Sequence, residues 1–371
     1  QDYLVNPSRK TVDLTLAGLH ELQRSGKPPG CDALDAGELR RLLSNAIAAA
    51  TLYQAERDYL MDAESGVTII DGPTGRLAVG RIWRDGMQQA IETKEGLAPS
   101  PVTSTIARCT VQSYFLRYQH LAGLTGTART AQREFRQTYK LTVRRIPTHR
   151  PCLRRELPAR VFATTADKLA AVVDDLRERQ ARGGAVLVGV PSVSDSEELS
   201  QVLAAHSVRH QVLNCREHRR EAAIVAQAGQ PGRVTIATNM AGRGTDIHVH
   251  ADVLRCGGLH VMLTQMHASP RIDRQLEGRA ARQGEPGSFQ YFVSLEDRLL
   301  VDAGEALAIR ASRTAQEGIE LPGRWVRRFR AAQQRAEESQ RRQRRALLKS
   351  EEQREKACLR MGLKPVLEAI D

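Results

Sequence analysis

Residues 234–287 constrain the fold more than any other stretch of the chain. They hold two short apolar runs, V-T-I-A-T and L-H-V-M-L, each leading into a segment rich in glycine or arginine. Runs of five such residues suit strands buried on both faces and are too short for helices. The first run opens into T-N-M-A-G-R-G-T-D-I, where Gly242 and Gly244 flank Arg243 and Asp246 follows. Glycines there let backbone N–H groups come close to an anion, because no Cβ intervenes. The second run leads to R-I-D-R-Q-L-E-G-R-A-A-R, expected as a helix with Ser269 as N-cap and Pro270 at its first position. Arg279 and Arg282 are three apart and are expected to share one face of that helix. A loop offering Arg and Asp beside a helix offering two arginines suits the triphosphate of a nucleotide.

The surrounding pattern alternates. Short strands are expected at 161–163, 185–190, 211–214 and 289–295, with helices at 165–182, 196–205 and 217–228. This alternation specifies an α/β unit with a parallel sheet covered by helices on both faces. Ligands of such sheets bind beyond the carboxyl ends of the strands, where the loop after Thr238 falls.

The rest of the chain reads less clearly. A helix is expected at 36–57, a strand at 67–71 and a helix at 110–118. Trp83 reads as a core anchor, and Glu92, Lys94 and Glu95 as a solvated helix end. Ile146-Pro147-Thr148-His149-Arg150-Pro151 reads as a linker, and 324–360, without Gly or Pro, as a long exposed helix. Six scattered cysteines with no C-x-x-C pair favour reduced thiols in a cytosolic setting over a disulfide scaffold or a zinc site. His248 and His250 form an H-x-H without further ligands nearby, so no metal is expected. No apolar run approaches the roughly 18 residues of a membrane span, so any membrane contact is expected to be peripheral. The formal charge of +12 favours a polyanionic partner, either nucleic acid or an anionic membrane surface.

The order strand, G-R-G-T-D, strand, Q-x-x-G-R-x-x-R (Gln275, Gly278, Arg279, Arg282) resembles motifs V and VI in the second RecA-like lobe of superfamily 2 motors. The fuller text, T-N-M-A-G-R-G-T-D-I with R-I-D-x-Q-L-x-G-R-x-x-R-Q-G-x-P-G-S, resembles the SecA family of preprotein translocase motors. The stretch I-I-D-G-P-T-G-R and the stretch from Gly80 to Leu97 resemble the same family, as does T-G-T at 125–127, its motif III. The resemblance implies four parts: the end of a preprotein cross-linking domain (1–75), the end of a first RecA-like lobe (76–148), the second RecA-like lobe (149–302) and the start of a helical scaffold (303–371). It implies ATP as the ligand, with Mg²⁺ held mainly by the first lobe. Gly242, Gly244, Asp246 and Gln275 would form the nucleotide-binding side, and Arg243, Arg279 and Arg282 would stabilise charge on the transferred phosphoryl group. The implied partners are an unfolded preprotein, a SecY-type channel, an anionic phospholipid surface and a second copy in a homodimer, with no nucleic acid. The implied location is the cytoplasm and the inner face of the membrane.

The sequence departs from the family at His248-Val249-His250, where Leu-Gly-Gly is usual, and at Glu277, where the family has Arg. It contains no G-x-x-x-x-G-K-[ST] phosphate loop and no D-E-A-D-like box. The 371-residue chain alone is therefore expected not to hydrolyse ATP measurably. A superfamily 2 nucleic-acid helicase and a non-catalytic accessory remnant are the rival readings.

Overall fold

The structure, a computed structural model, describes residues 2–6, 10–27, 31–62, 66–71, 76–78, 80–101, 109–214, 221–238, 245–304 and 318–362. The chain divides into two compact units, one of residues 1–104 with Ser192–Ser194 and one of residues 105–191 and 195–371.

In the first unit, β1 (Tyr3–Asn6) and β2 (Thr11–Leu14) form an antiparallel pair that leads into α1 (Leu16–Arg24). Helix α2 (Ala36–Leu52) starts at a capping box in which Asp35 and Glu38 each accept the other's backbone N–H. It stops at Leu52, short of the expected residue 57, because Tyr53 turns to extended backbone and packs its ring edge-on against Trp83 at 5.4 Å. Strands β3 (Tyr59–Asp62), β4 (Gly66–Asp71) and β5 (Arg76–Leu77) make a three-stranded antiparallel sheet, followed by α3 (Met87–Lys94). The expectation of a solvated end to α3 holds for Lys94, which is exposed, and fails for Glu92. Glu92 is buried, accepting from Gln88 Nε2 at 2.8 Å and from the Ser100 backbone N–H at 2.7 Å. Lys94 donates to the Tyr53 carbonyl at 2.7 Å, and the Tyr59 hydroxyl donates to Glu95. These charges close the core around Tyr59, because each has a fixed partner that offsets its desolvation.

The second unit opens with α4 (Val111–Leu116) and α5 (Gln132–Thr138). The α/β body follows: β6 (Leu153–Glu156), β7 (Arg160–Phe162), α6 (Thr165–Ala181), β8 (Val186–Val190), α7 (Val193–Ala205), β9 (Gln211–Leu213), α8 (Glu221–Gln227), β10 (Val234–Thr238), α9 (Ala251–Arg255), β11 (Leu259–Leu263), α10 (Pro270–Glu277), β12 (Pro286–Ser294), α11 (Arg298–Asp302) and β13 (Glu320–Leu321). The eight-stranded sheet runs β13-β7-β12-β11-β8-β10-β9, with β6 pairing the first half of β12. Every pairing is parallel except β13 against β7. This is the α/β, RecA-like architecture that the alternating pattern implies.

Strands β8, β10 and β11 are buried at every position, as parallel strands covered on both faces must be. Leu187, Ala237 and Val261 face one layer with Ile224, Val253 and Leu276, while Val188, Ile236 and Met262 face the other with Val172, Leu176 and Leu203. Gly189 lets α10 settle on the sheet: a Cβ there would stand 2.8 Å from Leu276 Cδ1.

Helix α12 (Val326–Arg360) extends over 35 residues. It is not exposed throughout, since Phe329, Ala332 and Gln333 in its first turns are buried and Phe329 and Ala332 join the lobe's core. Farther along, Arg344 makes a two-pronged ion pair with Glu134 of α5, at 2.7 and 2.8 Å. That contact ties the segment before the α/β body to the long helix.

Candidate functional site

The loop after β10 returns to the described structure at Thr245. Contrary to the expectation of a site at the carboxyl ends of the strands, it runs on the amino-terminal side of the sheet, where the His250 N–H donates to the Gly229 carbonyl ahead of β10. Asp246 Oδ1 accepts from Arg282 Nη1 at 2.7 Å and from the Ile247 backbone N–H at 3.1 Å. Arg279 Nη1 donates to the Thr245 carbonyl at 2.9 Å. The structure thus brings Asp246, Arg279 and Arg282 together, although the two motifs are separated by α9, β11 and α10. Gly242, Arg243 and Gly244 lie outside the described residues. Gln275 lies half-buried on α10, one turn before Arg279.

One expectation about the arginines is corrected. Helix α10 ends at Glu277 with Gly278 as its C-cap, so Arg279 and Arg282 are not on a helical face. They occupy a tight turn in which Ala281 and Gln283 take positive φ, 53° and 55°. Arg282 Nε donates to the Gly278 carbonyl at 3.1 Å and thereby folds the turn back on the helix end. The turn exists because β12 begins immediately beside it: a Cβ on Gly287 would stand 2.6 Å from the Ala281 backbone nitrogen. Two left-handed non-glycine residues so close together are costly and persist only where packing fixes them. Both guanidinium groups are presented by this turn rather than by helical spacing.

The start of α10 is held by a buried set that sequence reasoning missed. Asp273 Oδ1 accepts from the His267 backbone N–H at 3.1 Å and lies 2.6 Å from His267 Nδ1. Gln333 of α12 donates through Nε2 to Asp273 Oδ2 at 2.6 Å and to the His267 carbonyl at 2.7 Å. Ser269 is the N-cap residue and Pro270 the first helical residue, as expected, but the Ser269 side chain makes no capping bond. Asp273 supplies the acceptor at this end instead.

The two departures acquire local explanations. Glu277 Oε1 accepts from the Tyr291 hydroxyl at 2.6 Å, and burial raises its pKa above the ordinary carboxylate value. Its backbone carbonyl accepts from Arg154 Nη1 at 3.3 Å. The acidic residue therefore turns toward β12. His250 Nδ1 accepts the Asp252 backbone N–H at 3.3 Å as the N-cap of α9. Among the described residues no group of three His, Cys, Asp or Glu side chains is placed to hold a metal ion, and no helix is long and apolar enough to cross a membrane.

Beside the sheet's carboxyl edge, Lys168 and Asp297 form a buried ion pair at 2.6 Å, each almost without exposure. Lys168 also donates to the Thr264 carbonyl and Asp297 accepts from the Ser294 N–H. Burial pushes the Asp297 carboxyl up to about 6. This pair fastens α6 to the ends of β11 and β12.

The arrangement presents two guanidinium groups, one held by a carboxylate, in the turn that leads into β12. Arg282 and Asp246 are each more than a third exposed, so their bridge is worth at most about 1 kcal/mol. Arg282 can exchange it for a phosphate at small cost.

The family model of the SecA P-loop domain matches residues 151–253 and 248–311, and that of the SecA preprotein cross-linking domain matches residues 1–92. The protein translocase subunit SecA of Caldicellulosiruptor saccharolyticus is 45% identical over 299 residues, covering 81% of this chain and 35% of that protein. Protein translocase subunit SecA 2 of Rhodopirellula baltica is 39% identical, over 100% of this chain and 58% of its own length. The chain thus spans between about a third and somewhat over half of these relatives. Among solved structures, S. cerevisiae Dbp5 bound to RNA and ADP BeF3 is 16% identical over 57% of this chain and 53% of its own, with a TM-score of 0.34, too low to carry an argument. With two SecA domain models matched and a relative 39% identical over all of this chain, the chain belongs to the SecA family.

Proposed function

We propose that the chain is the rear portion of a SecA-type motor that couples ATP binding and hydrolysis to movement of an unfolded preprotein through a SecY-type channel. The observation that carries this reading is the meeting of Asp246 with Arg282, and of Arg279 with the Thr245 carbonyl, beside the start of β12. ATP would lie between this lobe and a first RecA-like lobe. Two guanidinium groups suit the charge of its phosphates, and Mg²⁺ would be held by carboxylates of the first lobe.

In this reading Asp246 holds Arg282 in place before the cleft closes. On closure Arg282, with Arg243 from the loop that carries Asp246 and Arg279 from its own turn, supplies positive charge to the γ-phosphoryl group as negative charge builds on its oxygens. Gly242 and Gly244 shape the loop, and Gln275 adds a polar contact from α10. Residues 1–75 serve the preprotein, 76–148 end the first lobe, and 303–371 begin the scaffold. The protein acts in the cytoplasm and on an anionic phospholipid surface, alone or as a homodimer. Turnover by a complete motor carrying this chain, measured with and without Arg282→Ala, tests the reading.

A further inference from the structure

We propose that the cavity at the amino-terminal edge of the second unit's sheet, whose lining includes neither Asp246 nor Arg282, binds a phosphate group. The cavity has a volume of about 600 Å³ and is bounded by the first residues of β6, β8, β11 and β12. Its walls include Arg154, Arg155, Arg179 and Arg182 and no Asp or Glu. Asp175 and Glu178, which pair with Arg179 and Arg182, belong to α6 and lie outside the lining. Arg154 donates to the Glu277 carbonyl at 3.3 Å.

The second observation is His260, also in the lining and only 3% exposed. Its Nδ1 lies 2.8 Å from Ser288 Oγ, while its buried Nε2 has no hydrogen-bond partner among the described residues. Burial, and then the nearby charge of Arg179, lowers the ring's pKa to about 3, so the ring is neutral near pH 7. The Ser288 hydroxyl can take either role toward Nδ1; where it donates, the proton sits on Nε2, which then needs an acceptor. Buried polar atoms in folded proteins are nearly always satisfied. A neutral N–H donor in a cavity lined by four arginines and no carboxylate selects an oxyanion with several acceptor oxygens and rejects cations. The cavity exceeds what one phosphate fills, so the group can also arrive as a phosphomonoester.

The test uses the 371-residue chain labelled with ¹⁵N at histidine, titrated with inorganic phosphate against chloride at matched ionic strength. The His260 ring signal is assigned by its loss in His260→Gln. The proposal expects a saturable shift of that signal, weakened at least tenfold in Arg155→Gln/Arg182→Gln and retained in Arg282→Ala. Arg155 and Arg182 are exposed, so the double variant keeps the fold. A shift that is absent, linear in phosphate as for an adventitious ion only, or equal in the double variant overturns it. Retention of the shift in Arg282→Ala separates this site from the nucleotide site, whose failure would leave the result unchanged.

Discussion

Arg282 Nη1 lies 2.7 Å from Asp246 Oδ1 across 36 residues of sequence, and this contact joins the loop after β10 to the turn after α10. Because the bridge is partly exposed and individually weak, its loss should be felt in ligand response more than in stability. Asp246→Asn is expected to change the chain's unfolding free energy by less than about 1 kcal/mol. In a complete motor it should lower turnover while leaving the melting temperature nearly unchanged. Parallel denaturation and steady-state assays check this.

Gly287→Ala should act on the same turn from its other side. The added Cβ would stand 2.6 Å from the Ala281 nitrogen, so β12 or the arginine turn must shift. Overpacking of this kind typically costs about 1–3 kcal/mol, measurable by urea denaturation. Gly123→Ala, whose Cβ would meet nothing within 4 Å, is the control expected to be close to neutral.

Gln333 connects the long helix to the start of α10 through Asp273 and the His267 carbonyl. Gln333→Leu keeps comparable bulk but leaves a buried carboxylate oxygen without its donor, a loss of about 1–3 kcal/mol. Hydrogen exchange should show the early amides of α10 opening more often than in the parent chain. Unchanged exchange there would mean that α10 is held by Asp273 and His267 alone.

Glu134 gives a pH dependence with a definite sign. Its hydrogen bonds to Arg344 hold its pKa below the ordinary carboxylate value. The folded state therefore binds this proton less readily than the unfolded chain, whose glutamates titrate near about 4.3. The stabilisation is fully present above that pH and is lost as pH falls through the depressed folded value. Glu134→Gln is expected to cost about 1 kcal/mol at pH 7 and progressively less below about pH 4. Thermal melts of both proteins at the two pH values give the comparison.

The central strands were legible in the sequence because β8, β10 and β11 are apolar at nearly every position and short. Strand β6 was not, since L-R-R-E has neither alternation nor an apolar run and becomes a strand only by pairing with β12. Motif spacing brought Asp246, Arg279 and Arg282 into one hypothesis, and the structure sets Asp246 against Arg282 and Arg279 against the Thr245 carbonyl. The helical placement of the arginines failed because local spacing says nothing of the positive φ at Ala281 and Gln283, which β12 imposes. Gln333 had no local signal at all: its partners lie 60 and 66 residues away. Glu92 misled because charged residues at a helix end are usually solvated, whereas here Ser100 returns to meet it.

The most direct test of the nucleotide assignment is ATP turnover by a complete SecA-type motor whose rear portion is this chain, with Arg282 intact and as Arg282→Ala. The account predicts a fall on the order of 10³ or more in turnover, about 4 kcal/mol of transition-state stabilisation, with the fold retained. Equal turnover in the two proteins would contradict it, and would leave the Asp246–Arg282 contact a structural clasp between a loop and a turn.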